Sequence, residues 1–176
     1  MRLIPKPQAG EYDPYAIMYI QLLPDDGLVL QHLETNLHSL ENLLQAFSDD
    51  ALRVPHKAGE WTIKEILLHV IDDERIYAYR ALRAARGDKT PLPGFEQEDY
   101  IIPSQANERS LESLLEEYRA VRMATISLFA YLPEDAFTRS LVANDHEVTV
   151  RALVYHIAGH ELHHVESIRT NYSGNV

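Results

Sequence analysis

Apolar positions recur along most of the chain at alternating spacings of three and four, the period of a helix that turns one face inward. Leu30, Leu33, Leu37, Leu40, Leu44 and Phe47 form one such stripe, while Glu34, Asn36, Glu41 and Gln45 hold its polar face. This predicts a helix from about Asp26 to Phe47. Ile63, Ile66, Val70, Tyr77, Ala81 and Ala85 form a second stripe. Thr62 with Glu65 three residues on is a capping box, and Gly87 is a stop signal, so the second helix is read from Thr62 to Arg86. A third runs from about Ser110 to Leu132 on Leu111, Leu114, Leu115, Tyr118, Val121, Thr125 and Leu128, with Pro133 beyond its end. The fourth has Thr149 as its cap and continues through Val150, Leu153, Ile157 and Ile168 to about Asn171.

Between the second and third helices, the stretch from Gly87 to Asn107 holds Pro91, Pro93, Gly94 and Pro103 and reads as a long connection. A connection of that length usually carries function or a crossover. The stretch from Pro133 to Val148 reads as another connection. Four long amphipathic helices without a strand alternation predict an all-α four-helix bundle with a long crossover connection between helices two and three. Residues 1–176 are read as one domain, with 1–25 as a Pro-containing lead segment.

Hydrophobic residues make up 45% and charged residues 24% of the chain, which excludes a disordered or disulfide-scaffold protein. Acidic residues number 27 against 16 basic ones, a formal charge of -11, so a nucleic-acid backbone or an anionic membrane surface would be repelled. No apolar run approaches the roughly 20 residues that span a bilayer. The opening MRLIPKPQAGEYDPY places prolines and acids where a secretory signal needs an apolar core, and a cytoplasmic location is expected. A small-molecule substrate is the expected partner, with a homodimer left open. Cysteine is absent, so a metal site must use His, Asp or Glu.

Nine histidines are present, and His156, His160, His163 and His164 fall within nine consecutive positions. His156, His160 and His164 form one row on a helix, with neighbouring Cβ atoms about 6 Å apart. Two such imidazoles can converge on one ion at ~2.1 Å, which then takes a third protein ligand plus water. Burying several imidazoles without a partner is costly, so His160 and His164 are read as metal ligands. His69 on the second helix, beside Asp72 and Asp73, is the candidate third ligand.

His160 to His164 also spells H-E-x-x-H, in which the two histidines bind zinc and the glutamate is a general base. An extended metzincin pattern would need glycine at 167 and histidine at 170, where Ser167 and Thr170 stand. After His164 the acidic residue is Glu166, too close on the same helix, so the third ligand is expected upstream. A di-iron bundle would need two Glu-x-x-His motifs, and Glu161 with His164 makes a single one, which favours a mononuclear site. No Gly-rich loop following a strand and no G-x-S-x-G is found. Of the other candidates, His163 is read as a surface or supporting residue and His156 as a cavity or supporting one. Asp73 is read either as orienting an imidazole or as solvated. Trp61 and Tyr77 are read as core. Arg75, Arg80 and Arg83 form a charged row, read as a solvated face with an anionic-substrate site as the alternative.

The run Trp61-Thr62-Ile63-Lys64-Glu65-Ile66-Leu67-Leu68-His69-Val70, followed by Asp72-Asp73-Glu74-Arg75, resembles the helix-two signature of the DinB-like, YfiT-like metal-protein superfamily. Gly159-His160-Glu161-Leu162-His163-His164 resembles its helix-four signature, and Tyr79-Arg80-Ala81 through Gly87-Asp88 to Pro93-Gly94-Phe95-Glu96-Gln97 is similar to one branch. The resemblance covers most of the chain from Asp26 onward. It implies a four-helix bundle that holds one divalent ion per chain on His69, His160 and His164. Zinc or nickel is the expected metal, with iron or manganese as alternatives, since imidazole suits all of them. It also implies an enzyme, a metal-dependent transferase that couples a low-molecular-weight thiol cosubstrate to small electrophiles. A metal-dependent hydrolase and a non-catalytic, stress-related metal-binding module are the alternatives.

Overall fold

A computed structural model describes residues 2–172. A short 3-10 turn at Pro14–Ala16, capped by the Asp13 carboxylate, leads into a four-residue helix, α1 (Ile17–Ile20). The long helix α2 (Val29–Leu44) buries Leu30, Leu33, Leu37, Leu40 and Leu44. In α3 (Ile63–Ala85) the Thr62 hydroxyl accepts from the Glu65 amide while the Glu65 carboxylate accepts from the Thr62 amide, so both orphan donors at that end are satisfied. Gly87 ends it at φ 77°, a left-handed backbone that a side chain would disfavour. The connection that follows contains α4 (Glu98–Ser104), whose proline Pro103 sits in its last turn. Ser110 caps α5 (Leu111–Ala130), and Thr149 caps α6 (Val150–Asn171) by accepting from the Ala152 amide.

Between α5 and α6 the chain forms a hairpin, β1 (Ser140–Ala143) and β2 (His146–Thr149), paired antiparallel from Ser140 with Thr149 to Ala143 with His146. Asn144 and Asp145 both take positive φ (51° and 64°), the two-residue turn whose twist matches a hairpin. The loop before α4 extends this small sheet: the Leu92 amide donates to the Val142 carbonyl, and the Asn144 amide to the Leu92 carbonyl.

The four long helices α2, α3, α5 and α6 form the bundle. α3 packs on α6 and α5, and α2 packs on α5 and α6. The pairs consecutive in sequence, α2 with α3 and α5 with α6, therefore lie across the diagonals. Direction follows from the side-chain pairs. Thr62 bonds Asn107 and Arg122 bonds Glu74, so α3 and α5 run parallel, and the long connection between them returns the chain along the length of α3. Tyr172 reaches the Trp61 carbonyl while His156 faces Asp73, so α6 runs antiparallel to α3. The crossover thus joins two parallel neighbours.

The apolar interior divides in two. One cluster gathers Leu30 and Leu33 with Ala81, Ala84, Phe129, Val154 and Ile157, and the other gathers Leu37, Leu40 and Leu44 with Leu67, Ile71, Leu114, Tyr118 and Ile168. Between them lie the buried polar groups His69, Asp73, Glu74, Arg122, His156, His160 and Glu161. Such groups are tolerated in a core where they partner one another. Among the described residues no helix is long and apolar enough to cross a membrane.

Candidate metal centre

α3 supplies His69 from its second turn and α6 supplies His160 and His164 from one face. Because the two helices are antiparallel neighbours, the three imidazoles meet between them. The His160 Nε2 atom lies 3.1 Å from the Nε2 of His69 and 3.1 Å from the Nε2 of His164. Three nitrogens about ~2.1 Å from one tetrahedral ion would be roughly 3.4 Å apart, so the side chains already stand close to the spacing that a shared cation imposes. Among the described residues this trio forms a group able to hold a metal ion. All three donors are imidazole nitrogens, which suits first-row divalent metals.

Burial withholds water from these rings and disfavours their charged forms. It pushes His160 down to about 3 and His164 down to about 2, and it lowers His69 as well. All three are therefore neutral at physiological pH, the form in which imidazole ligates a metal.

Behind the trio stands Asp73, one turn on from His69 and buried rather than solvated. Its Oδ2 is 3.4 Å from the His160 Nδ1 and 3.6 Å from the His156 Nε2. Desolvation opposes the carboxylate's charge, but the facing His160 and His156 outweigh it and hold the acid below its usual range. The carboxylate fixes which His160 nitrogen carries the proton and leaves Nε2 free to face the trio. His156 lies outside the trio. It stacks on Tyr77 with centroids 3.8 Å apart, lies near-parallel to His160, and lines an adjacent cavity.

Glu161 turns the other way. It is fully buried on the face of α6 toward α5, where the Tyr118 hydroxyl donates to it and the Arg122 guanidinium lies 3.1 Å away. Arg122 itself is committed to Glu74 and the Leu33 carbonyl. Burial, and then the neighbouring Glu74 charge, push Glu161 well above the carboxylate range, against the Arg122 guanidinium beside it. The glutamate of H-E-x-x-H therefore does not face the three histidines and is not placed as their general base.

One neighbour of the centre escaped the sequence reading, and a second was read there only as core. Tyr19, on α1, packs edge-on against His156, His160 and His163, and its hydroxyl is 2.6 Å from that of Tyr15. The Tyr15–Tyr19 spacing is a helical pair, but a four-residue helix is too short to show a period. Gly159 makes this approach possible, because a Cβ there would collide with the Tyr19 carbonyl. Trp61, read as core, is half-buried instead: its ring packs 4.9 Å from that of His69, and its indole nitrogen donates to Glu98. His163 packs against Tyr19 and His164 at the edge of the site.

The charged row on α3 divides. Arg75 pairs with Glu117 and Arg83 with Asp88, as expected of a solvated face. Arg80 is buried, only 6% exposed, with its guanidinium over the rings of Tyr77 and Phe95.

A protein of Oceanobacillus iheyensis, named as a proposed metal-dependent hydrolase, is 28% identical over 148 residues that make up 83% of this chain and 84% of that protein. Among solved structures, YfiT from Bacillus subtilis, described as a probable metal-dependent hydrolase with an unusual four-helix bundle topology, superposes with a TM-score of 0.73 at 17% identity, covering 96% of this chain and 91% of that one. That likeness shows the shared bundle fold. The family model of the DinB superfamily matches residues 32–168, a span that includes all three histidines, and the chain belongs to that superfamily.

Proposed function

We propose that this chain is a mononuclear metal-dependent enzyme whose ion is held by His69, His160 and His164, and that it hydrolyses a small-molecule substrate. The observation that carries the reading is the convergence of three neutral imidazoles from two helices onto one point, His69 and His160 buried and His164 half-buried. Three protein donors leave a tetrahedral cation one further position, the pattern of catalytic rather than structural sites. A divalent ion held there supplies Lewis acidity, which activates a water or thiol nucleophile at neutral pH. The chain's own groups then have distinct tasks. Asp73 fixes the His160 ring, Tyr19 covers the centre from the α1 side, and His156, stacked near-parallel to His160, joins the centre to the cavity that Tyr77 and Arg80 also line. Hydrolysis is preferred because both relatives carry that description.

The thiol-transfer reading uses the same three histidines and differs in the nucleophile. Elemental analysis and an activity panel separate the alternatives. About one divalent ion per chain is expected, lost in a His160→Ala, His164→Ala double variant, together with metal-dependent turnover of ester or amide substrates that collapses in His69→Ala. Turnover confined to a thiol and an electrophile would replace hydrolysis by transfer. Absence of both, with chelation merely lowering the melting temperature, would make the centre structural. Zinc, nickel, iron and manganese reconstitution in parallel would identify the active metal.

A further inference from the structure

Beside the metal centre lies a cavity of about 150 Å³, a size that admits a single six-membered ring. Its walls come from five places in the chain: Asp13 and Tyr15 before α1, Tyr77 and Arg80 of α3, Phe95 of the long connection, the hairpin turn, and His156 of α6. The long connection is held against the hairpin by the Leu92 bonds to Val142 and Asn144, and Gly94 abuts the Asn144 side chain so closely that a Cβ would collide with it.

The informative group is Arg80. Two arginines of the described chain are buried, and the other, Arg122, faces Glu74 and Glu161. Arg80 donates to the Pro93 carbonyl at 3.1 Å and, among the described residues, forms no ion pair. A guanidinium has five N–H donors in a planar fork. None of the Arg80 nitrogens is among the sealed, unpartnered polar atoms of the described residues, so the unused donors remain accessible, and the side chain lines both this cavity and the open groove beside Tyr79 and Tyr100. A buried cation without a counter-charge is costly to maintain, and the aromatic rings beneath it offset this in part. Of the described residues, the one acidic group lining the cavity, Asp13, does not serve this cation, being turned to the Tyr15 amide and to His146 at 3.2 Å.

We infer that this cavity binds the substrate and that Arg80 receives a carboxylate on it, with a flat or short apolar body lying against Tyr77 and Phe95. The substrate class is thus a small organic acid, a choice that rests on the proposed catalytic centre for its chemistry but not for its binding. The planar fork selects a planar oxyanion. In a chain of net charge -11 the rest of the surface on average repels an anion, so a guanidinium without an ion pair is what would draw one here.

The test uses the full chain incubated with zinc, titrated at neutral pH with benzoate and with its neutral isostere benzamide, by calorimetry and by the NMR shift of the Arg80 Nε–H. Saturable benzoate binding is expected, at least tenfold tighter than benzamide and at least tenfold weaker in Arg80→Gln, with Arg80→Lys in between. Equal affinity for benzoate and benzamide, no benzoate binding, or unchanged binding in a folded Arg80→Gln would overturn the inference. If Arg80→Gln does not fold, the wild-type ratio and Arg80→Lys decide it. The same titration in His164→Ala keeps the two readings apart. Binding lost there but kept in Arg80→Gln would place the carboxylate on the metal and overturn this inference while supporting the catalytic centre. Arg80-dependent binding in a chain that takes up no zinc would support the inference while removing that centre.

Discussion

Asp73 and Glu161 are both enclosed acids near the histidine trio, and their surroundings shift them in opposite directions. Asp73 faces two imidazoles and stays ionised, and its Oδ2 has no hydrogen-bond partner within the described chain. Replacing it by asparagine keeps the shape but removes the charge that fixes the His160 ring. Asp73→Asn is therefore expected to weaken metal affinity by about 10- to 100-fold, read by competition with a chromogenic chelator. Unchanged affinity would remove Asp73 from the centre. Burial and then Glu74 push Glu161 above its ordinary 4.5 in the folded chain, with Arg122 acting against them. Above that pH the unfolded chain releases a proton that the folded chain keeps, so Glu161 contributes instability that grows as pH rises. Glu161→Gln, neutral and isosteric, is expected to leave stability at pH 7 unchanged or higher and to leave metal stoichiometry intact. Loss of the metal would return Glu161 to the site.

At the scale of elements, α1 and α6 meet where Gly159 lets the Tyr19 backbone approach. Gly159→Ala has opposing effects: alanine favours the helix by about 1 kcal/mol, while the new Cβ drives α1 away at a cost of about 1–3 kcal/mol. The collision is with backbone rather than a flexible side chain, so the second effect is expected to prevail. A lowered denaturation midpoint, with altered NMR shifts of the His156, His160 and His163 rings that Tyr19 covers, would show it. An unchanged midpoint would mean that α1 moves freely. The elements that went unread share a physical cause. α1 and α4 are shorter than two full periods of an amphipathic pattern. In β1 the alternation of buried Leu141 and Ala143 around the exposed Val142 lasts four residues. The turn residues Asn144 and Asp145 were the available signal for the hairpin.

For the whole molecule the buried histidines set the acid limit of stability. His160 titrates at about 3 and His164 at about 2 in the folded chain, against 6.5 for an unperturbed imidazole. As pH falls below about 6.5 the unfolded chain takes up protons that the folded one refuses. Stability is therefore present in full above about 6.5 and is expected to decline progressively toward pH 3, in the chelated protein as well as the metal-loaded one. Metal binding acts in the same direction because the ligands must be neutral. Chelator-treated protein melted at pH 7.5, 6.0 and 5.0 tests this, and a melting temperature that rises or stays flat would refute it. A metal bound at the proposed centre would add RT ln(1 + [M]/Kd), about 2.7 kcal/mol at a hundredfold excess over Kd.

The four long helices were legible in the sequence, because a period of 3.6 and a capping residue are local properties of the chain, although the first, read from about Asp26 to Phe47 without a capping signal, runs only over Val29–Leu44. Thr62 with Glu65, Ser110, Thr149 and Gly87 mark the structure's helix termini to within a residue or two. The sequence by itself also determined that His160 and His164 share a face, since that follows from their spacing. His69 could be named from the residues only as a candidate third ligand, and the family resemblance strengthened it, because two residues 91 positions apart meet only through packing. Tertiary structure alone decided that α3 and α5 run parallel, that Glu161 faces away from the trio and Asp73 toward it, and that Arg80 leaves the charged row to which its spacing assigns it. Helical periodicity states which residues share a face. It does not state which neighbour that face meets, and the charge state of each buried group is set by that neighbour.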